Sequence, residues 1–164
     1  MVVNVRDPAA ETLAPIAAAT FAALSKAKPS EAGFVNCGST QLVHCSVSAQ
    51  MIRRTGEILD ALERALPQVD AALVHDKEGK RVAIRVRGEL LGLSLTEGYK
   101  RTETVVKHPK HSYLDRREYQ YEFNGQLKLS LEGSYAGRKS WSDGTLGRFG
   151  EQARARRARR GRRF

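Results

Sequence analysis

Residues 48–97 read SAQMIRRTGEILDALERALPQVDAALVHDKEGKRVAIRVRGELLGLSLTE, and the spacing of apolar side chains changes character within this stretch. Met51, Ile52, Thr55, Ile58, Leu59, Leu62 and Leu66 recur at intervals of three and four, which gathers them into one stripe of an α-helix. Ser48 is an N-cap residue of preferred type, and Pro67 ends the element because it has no amide hydrogen to donate to the helical ladder. From Ala71 onward the period falls to two. Residues 71–75 and 81–87 flank the turn segment 76–80; Val82, Ile84 and Val86 share one strand face, and Arg81, Arg85 and Arg87 take the other, which is solvated or binds something. Leu91, Leu93 and Leu95 resume the alternation after a tight turn at Gly88 and Glu89. A helix followed by consecutive antiparallel strands is an α+β pattern, not a βαβ one.

Towards the N-terminus, Asp7 and Pro8 form a helix-start pair, and Leu13, Ile16, Ala17, Phe21 and Leu24 follow at helical spacing. Pro15 complicates that start. It moves the regular helix towards Thr12, so that the missing amide hydrogen falls in the first turn. Residues 34–37 and 42–47 read as two short strands joined through a turn at Gly38 and Ser39. The two cysteines, Cys37 and Cys45, fall on these strands, where a bridge would close only a short loop; free thiols in a reducing, cytoplasmic compartment are expected.

Towards the C-terminus, residues 98–117 are basic, carry Pro109 at their centre and hold no sustained period, which predicts a loop. Asn124-Gly125 lies between two alternating runs and predicts a two-residue hairpin. Leu127, Leu129 and Leu131 would then face the core, with Tyr119, Tyr121 and Phe123 as cross-strand partners. A last short strand is expected around Trp141, whose ring seals a core edge. The whole reads as α+β: two N-terminal helices packed on a mostly antiparallel sheet of about five to seven strands over residues 1–147, then a disordered tail over 148–164.

Composition narrows the function classes. An apolar fraction of 41% and a charged fraction of 28% are those of a globular chain, and no apolar run reaches the roughly 20 residues of a membrane span. No membrane partner is expected. The formal charge of +10 is unevenly placed, because eight arginines after Gly147 face the single Glu151. Arg154, Arg156, Arg157, Arg159, Arg160, Arg162 and Arg163 will attract phosphate backbones, but no aromatic side chain among them could stack on a base. Arg85, Arg87, Lys107 and Lys110 are the contacts the body could add.

Signals for chemistry are thin. His108 and His111 stop at two ligands amid lysines, and His44 and Cys45 point to opposite strand faces. Asp70, Glu78 and Lys80 form a superficial set for a metal-dependent nuclease, but Glu78 and Lys80 sit at a hairpin tip. There is no glycine-rich phosphate loop and no nucleophile elbow. The expectation is a protein without catalytic residues, metal or cofactor: a nucleic-acid-associated accessory protein with mainly electrostatic, nonspecific phosphate contacts. The alternative is a protein-interaction domain that binds a partner on its sheet face and carries the tail incidentally.

Two passages, residues 85–97 with Arg85-Val86-Arg87-Gly88-Glu89-Leu90 and Leu95-Thr96-Glu97, and residues 125–144 with Gly125-Gln126-Leu127-Lys128-Leu129-Ser130-Leu131 and Arg138-Lys139-Ser140-Trp141-Ser142-Asp143-Gly144, carry a further likeness. In them the chain resembles, from about Ala10 to Gly147, an uncharacterised bacterial protein family of genomic islands and plasmids. Longer members of that family begin with a helix-turn-helix-like segment, which implies a DNA-associated or regulatory role. The resemblance further implies a C-terminal helix over one sheet face, where this chain has its arginine block instead.

Overall fold

The computed structural model describes residues 13–133 and 139–142. Within them the chain is α+β, with two helices packed on one seven-stranded mixed sheet. Helix α1 spans Pro15–Lys26, an alanine-rich run with proline at its first position. The proline lies in the first turn, where it forfeits no helical hydrogen bond. No side chain of α1 itself caps this end. The cap comes from α2, Ile52–Ala65, which follows a 3₁₀ turn at Ala49–Met51. The Ala14 amide donates to Asp60 Oδ1 at 2.7 Å, and the Ile16 and Ala17 amides donate to the Glu63 carboxylate at 3.2 and 2.9 Å. Two carboxylates thus meet the positive end of the α1 dipole while satisfying its orphan N–H groups. The expected start at Asp7 and Pro8 lies outside the described residues. Ser48 stands before the 3₁₀ turn in extended conformation, but its hydroxyl makes no cap bond.

The strands are β1 Phe34–Ser39, β2 Leu42–Ser48, β3 Ala71–Asp76, β4 Arg81–Val86, β5 Glu89–Val106, β6 Arg116–Glu132 and β7 Ser140–Ser142. All neighbours are antiparallel except β2 and β5. Strand β5 organises the sheet. One of its edges pairs with β4 over 89–92 and then with β2 over 94–96; the other is given to β6 from Gly92 to Val106. Leu91, Leu93 and Leu95 of β5, Val82 and Ile84 of β4, and Val35, Val43 and Val47 of the first hairpin face Ile16, Leu24, Leu59, Leu62 and Leu66 of the helical layer. Thr20 of α1, fully buried, ties the layers together by accepting from the Val43 amide at 3.1 Å.

Two sequence expectations are overturned. Residues 98–106 and 116–117 are strand, not loop, and the reversal occurs between them through a 3₁₀ turn at Ser112–Leu114. Asn124-Gly125 makes no hairpin: β6 runs straight through it. The left-handed tendency of the pair is used for a bulge, with Gly125 at φ 70° and the register shifting opposite Gly98. Tyr119, Tyr121 and Phe123 consequently pair with Glu103, Arg101 and Tyr99, not with Leu127, Leu129 and Leu131. Leu127 is fully buried as expected, and Leu129 and Leu131 pack half-buried against the core. The short strand at Trp141 is present, pairing with Leu129.

Candidate nucleic-acid interface

Beyond the bulge, β5 and β6 leave the body as a two-stranded arm. Register pairs run from Tyr99 with Phe123 to Val106 with Arg116, and eight pairs at strand rise make an arm about 25 Å long. Most side chains along it are exposed, since neither helix covers this part of the sheet. Strand alternation puts Tyr99, Arg101, Glu103 and Val105 on one face together with Phe123, Tyr121, Tyr119 and Arg117. The opposite face carries Lys100, Thr102, Thr104 and Val106 with Glu122, Gln120, Glu118 and Arg116.

The aromatic face is organised at its root by Phe34 of β1. Its ring packs edge-on to Tyr99, Tyr121 and Phe123 at centroid distances of 5.1, 5.3 and 4.9 Å. Further out, the Arg101 guanidinium stands 4.9 Å over the Tyr119 ring, and Arg117 reaches Glu103 at 3.2 Å. Below the root, Glu97 fastens the bulge to the body. It is 4% exposed; one carboxylate oxygen accepts from the Ser48 amide at 2.7 Å and the other from the Gly125 amide at 3.1 Å. The bulge therefore aims the arm, and a buried carboxylate holds the bulge.

The tip concentrates positive charge. Residues 105–117 hold Lys107, Lys110, Arg116 and Arg117; Arg116 pairs with Glu118 at 3.0 Å and Arg117 with Glu103, while the Asp115 carboxylate accepts from the His108 amide at 2.8 Å, which closes the turn. The His108 and His111 rings stack at 5.7 Å, and Tyr113, 79% exposed, tilts against His111. Lys107 and Lys110 meet no carboxylate among the described residues.

The residues expected to bind nucleic acid are not brought together. Arg85 is exposed on β4, and Arg87 occupies the β4–β5 turn with φ 50°, one residue earlier than the turn expected at Gly88 and Glu89. With Asp70, Ala71 and Gly88 they line an open depression of about 360 Å³. Lys107 and Lys110 lie beyond the far end of β5, separated from Arg87 by 18 residues of strand, up to about 60 Å. Arg81 serves the fold instead. It lies across Gly92 and pairs with Asp76 at 3.4 Å and Glu132 at 3.0 Å. The Gly79 amide and then Arg81, opposed by burial, hold the Asp76 carboxyl below its ordinary range. Arg154, Arg156, Arg157, Arg159, Arg160, Arg162 and Arg163 lie outside the described residues.

Asp70 and the Glu78–Lys80 tip stand at opposite ends of β3, about 20 Å apart at strand rise, so the nuclease set does not converge. No group of three potential metal ligands occurs among the described residues. The sheet face turned away from the two helices is polar: Asn36, Ser46, Thr96 and Lys128 form one row across four strands, and His44, Ser94 and Ser130 the next. Sequence reasoning missed Arg101, Tyr113, Tyr119, Arg116 and Arg117 as members of one element. The usable signal was Thr102, Thr104, Val105 and Val106 on one side of Pro109 answered by Tyr119, Tyr121 and Phe123 on the other, two β-prone runs about one centre.

Fold and site together define an α+β protein with a projecting, cation-tipped β-ribbon. No family model matches the chain, and no curated protein or solved structure matches it. No helix among the described residues is long and apolar enough to cross a membrane.

Proposed function

We propose that the protein is a non-enzymatic, nucleic-acid-associated accessory protein that grips the phosphate backbone with its β5–β6 arm, the arginine-rich tail adding nonspecific attraction. The observation that carries this reading is the cationic tip, with Lys107, Lys110, Arg116 and Arg117 at the end of an exposed two-stranded ribbon. A ribbon of this kind fits the major groove of B-form DNA, about 12 Å wide. Its basic side chains would contact phosphates on either wall, and Tyr113 and Tyr119 offer rings to an unstacked base. We read the contact as mainly electrostatic, since Arg101 stacks on Tyr119 and Arg116 and Arg117 pair with Glu118 and Glu103. On this reading the protein works in the cytoplasm, and the reading is the one that the resemblance noted in its sequence implies.

The test is duplex binding by the intact chain, a chain ending at Gly147, and a K107E/K110E variant of the intact chain, at about 50 and about 200 mM salt. Expected is binding by all three, with the shortened chain weaker and the lysine variant losing affinity and about one unit of salt slope per lysine. Binding by the lysine variant equal to that of the intact chain would remove the arm from the interface.

A second reading, protein interaction, rests on a different observation: Tyr113, Leu114 and Val106 put exposed apolar surface at the arm tip. A protein partner would take these side chains into an apolar pocket, and its affinity would change little with salt.

A further inference from the structure

We propose that Cys37 and Cys45 form a peroxide-oxidisable pair that closes into a disulfide across the β1–β2 hairpin, with Cys37 as the attacking thiol and Cys45 as the resolving one. The two residues are directly opposed in the antiparallel register. Opposed Cα atoms in such a ladder lie about 4.5–5.5 Å apart, inside the range of about 4.4–6.8 Å that a disulfide spans. Both side chains take the core-facing side of their strands, alongside Val35, Val43 and Val47, so they point the same way. The register thus puts the pair within the reach of a disulfide.

Their surroundings divide the labour. Cys45 is fully buried, whereas Cys37 is half-buried and adjoins the register shift between Cys37 and Ser39, where the hairpin opens to solvent. The Cys37 Sγ lies 3.4 Å from the Val43 carbonyl oxygen. Hydrogen bonding from Cys45 favours the Cys37 thiolate and lowers its pKa, while the bond to Cys37 and then burial push the Cys45 thiol up. The more accessible sulfur, Cys37, is therefore the one that peroxide reaches first.

The chemistry balances with hydrogen peroxide as oxidant. The Cys37 thiolate attacks one peroxide oxygen; the O–O bond breaks, and the departing hydroxide takes up a proton to leave as water. Cys37 is then a sulfenic acid. The Cys45 sulfur attacks the Cys37 sulfur, the S–O bond breaks, and the Cys45 proton leaves with the expelled hydroxide as a second water. Two thiols are oxidised and one peroxide is reduced. The loop it closes is short, so its constraint on the unfolded chain falls towards the lower end of what disulfides supply. Its local effect is to brace β1, the strand whose Phe34 packs against the root of the arm.

The test treats the reduced full-length protein with hydrogen peroxide, alkylates remaining thiols after denaturation, and weighs the tryptic peptide. No lysine or arginine lies between Cys37 and Cys45, so both report in one peptide. Expected is a monomer whose peptide is lighter by two hydrogen atoms and carries no alkyl group, reversed by dithiothreitol. In C45S, expected is a sulfenic acid at Cys37 that dimedone traps. Wild-type protein that keeps two alkylatable thiols, or passes to sulfinic acid without the bridge, would overturn the proposal. That reading uses the native chain and does not depend on whether C45S folds, nor on nucleic-acid binding.

Discussion

Single carboxylates decide how this molecule is held together. Asp60 and Glu63 cap a helix that is not their own, and Glu97 joins the end of β2 to the bulge in β6. Each accepts from backbone amides, and hydrogen bonds to a charged acceptor contribute more than neutral ones. Glu97→Ala leaves two amides without their acceptor; it is expected to lower the unfolding free energy by about 3 kcal/mol, measured in urea. Asp76 is expected to make stability depend on acidity. Because its folded pKa lies below that of the unfolded chain, its contribution is complete above the unfolded value and is lost as pH falls through the folded one. Thermal unfolding followed across the acid range should therefore show a drop that is smaller in Asp76→Asn. Thr55 is the contrary case: its hydroxyl is fully buried and has no hydrogen-bond partner among the described residues, so it contributes through its methyl group and its bulk.

Elements were legible in proportion to how much of them is buried. Helix α2 announces itself because one side meets the core and the other meets water; the β3–β4 hairpin does so through its turn residues 76–80 between two apolar runs, although Val82, Ala83 and Ile84 are all buried. The arm was opaque as one element. Residues 98–106 are almost all exposed on both faces, so no burial pattern marks them, whereas 118–123 alternates and reads as strand; Asn124-Gly125 reads identically as a hairpin turn or as a bulge until the partner strand is known. The arm's stability should follow its burial. Amide hydrogen exchange at 99–106 and 116–123 is expected to be faster than at 91–95 and in α2, because the ribbon opens without exposing the core. Equal protection of arm and core would mean that the ribbon is covered in solution.

At the scale of the whole molecule, charge is distributed along β5 and not gathered on one face. Arg85 and Arg87 flank its beginning, and Lys107 and Lys110 lie beyond its end. If the arm is the gripping element, R85E/R87E is expected to leave duplex affinity within about twofold, while K107E/K110E lowers it about tenfold or more, both by fluorescence anisotropy at one salt. The sequence by itself determined the α+β class, both helices, the strands from β1 to β4 and the onset of β5, together with the basic excess of the C-terminal block. These follow from local periodicity, which each segment carries in its own side chains. Only the tertiary structure decided that β5 lies between three partners, that a continuous β6 turns residues 98–123 into an arm, and that carboxylates from elsewhere cap α1 and hold the bulge. The carboxylate contacts join residues 28 to 49 apart in the chain, and the free energy that selects them comes from buried hydrogen bonds and packed side chains that exist only once both partners are in place.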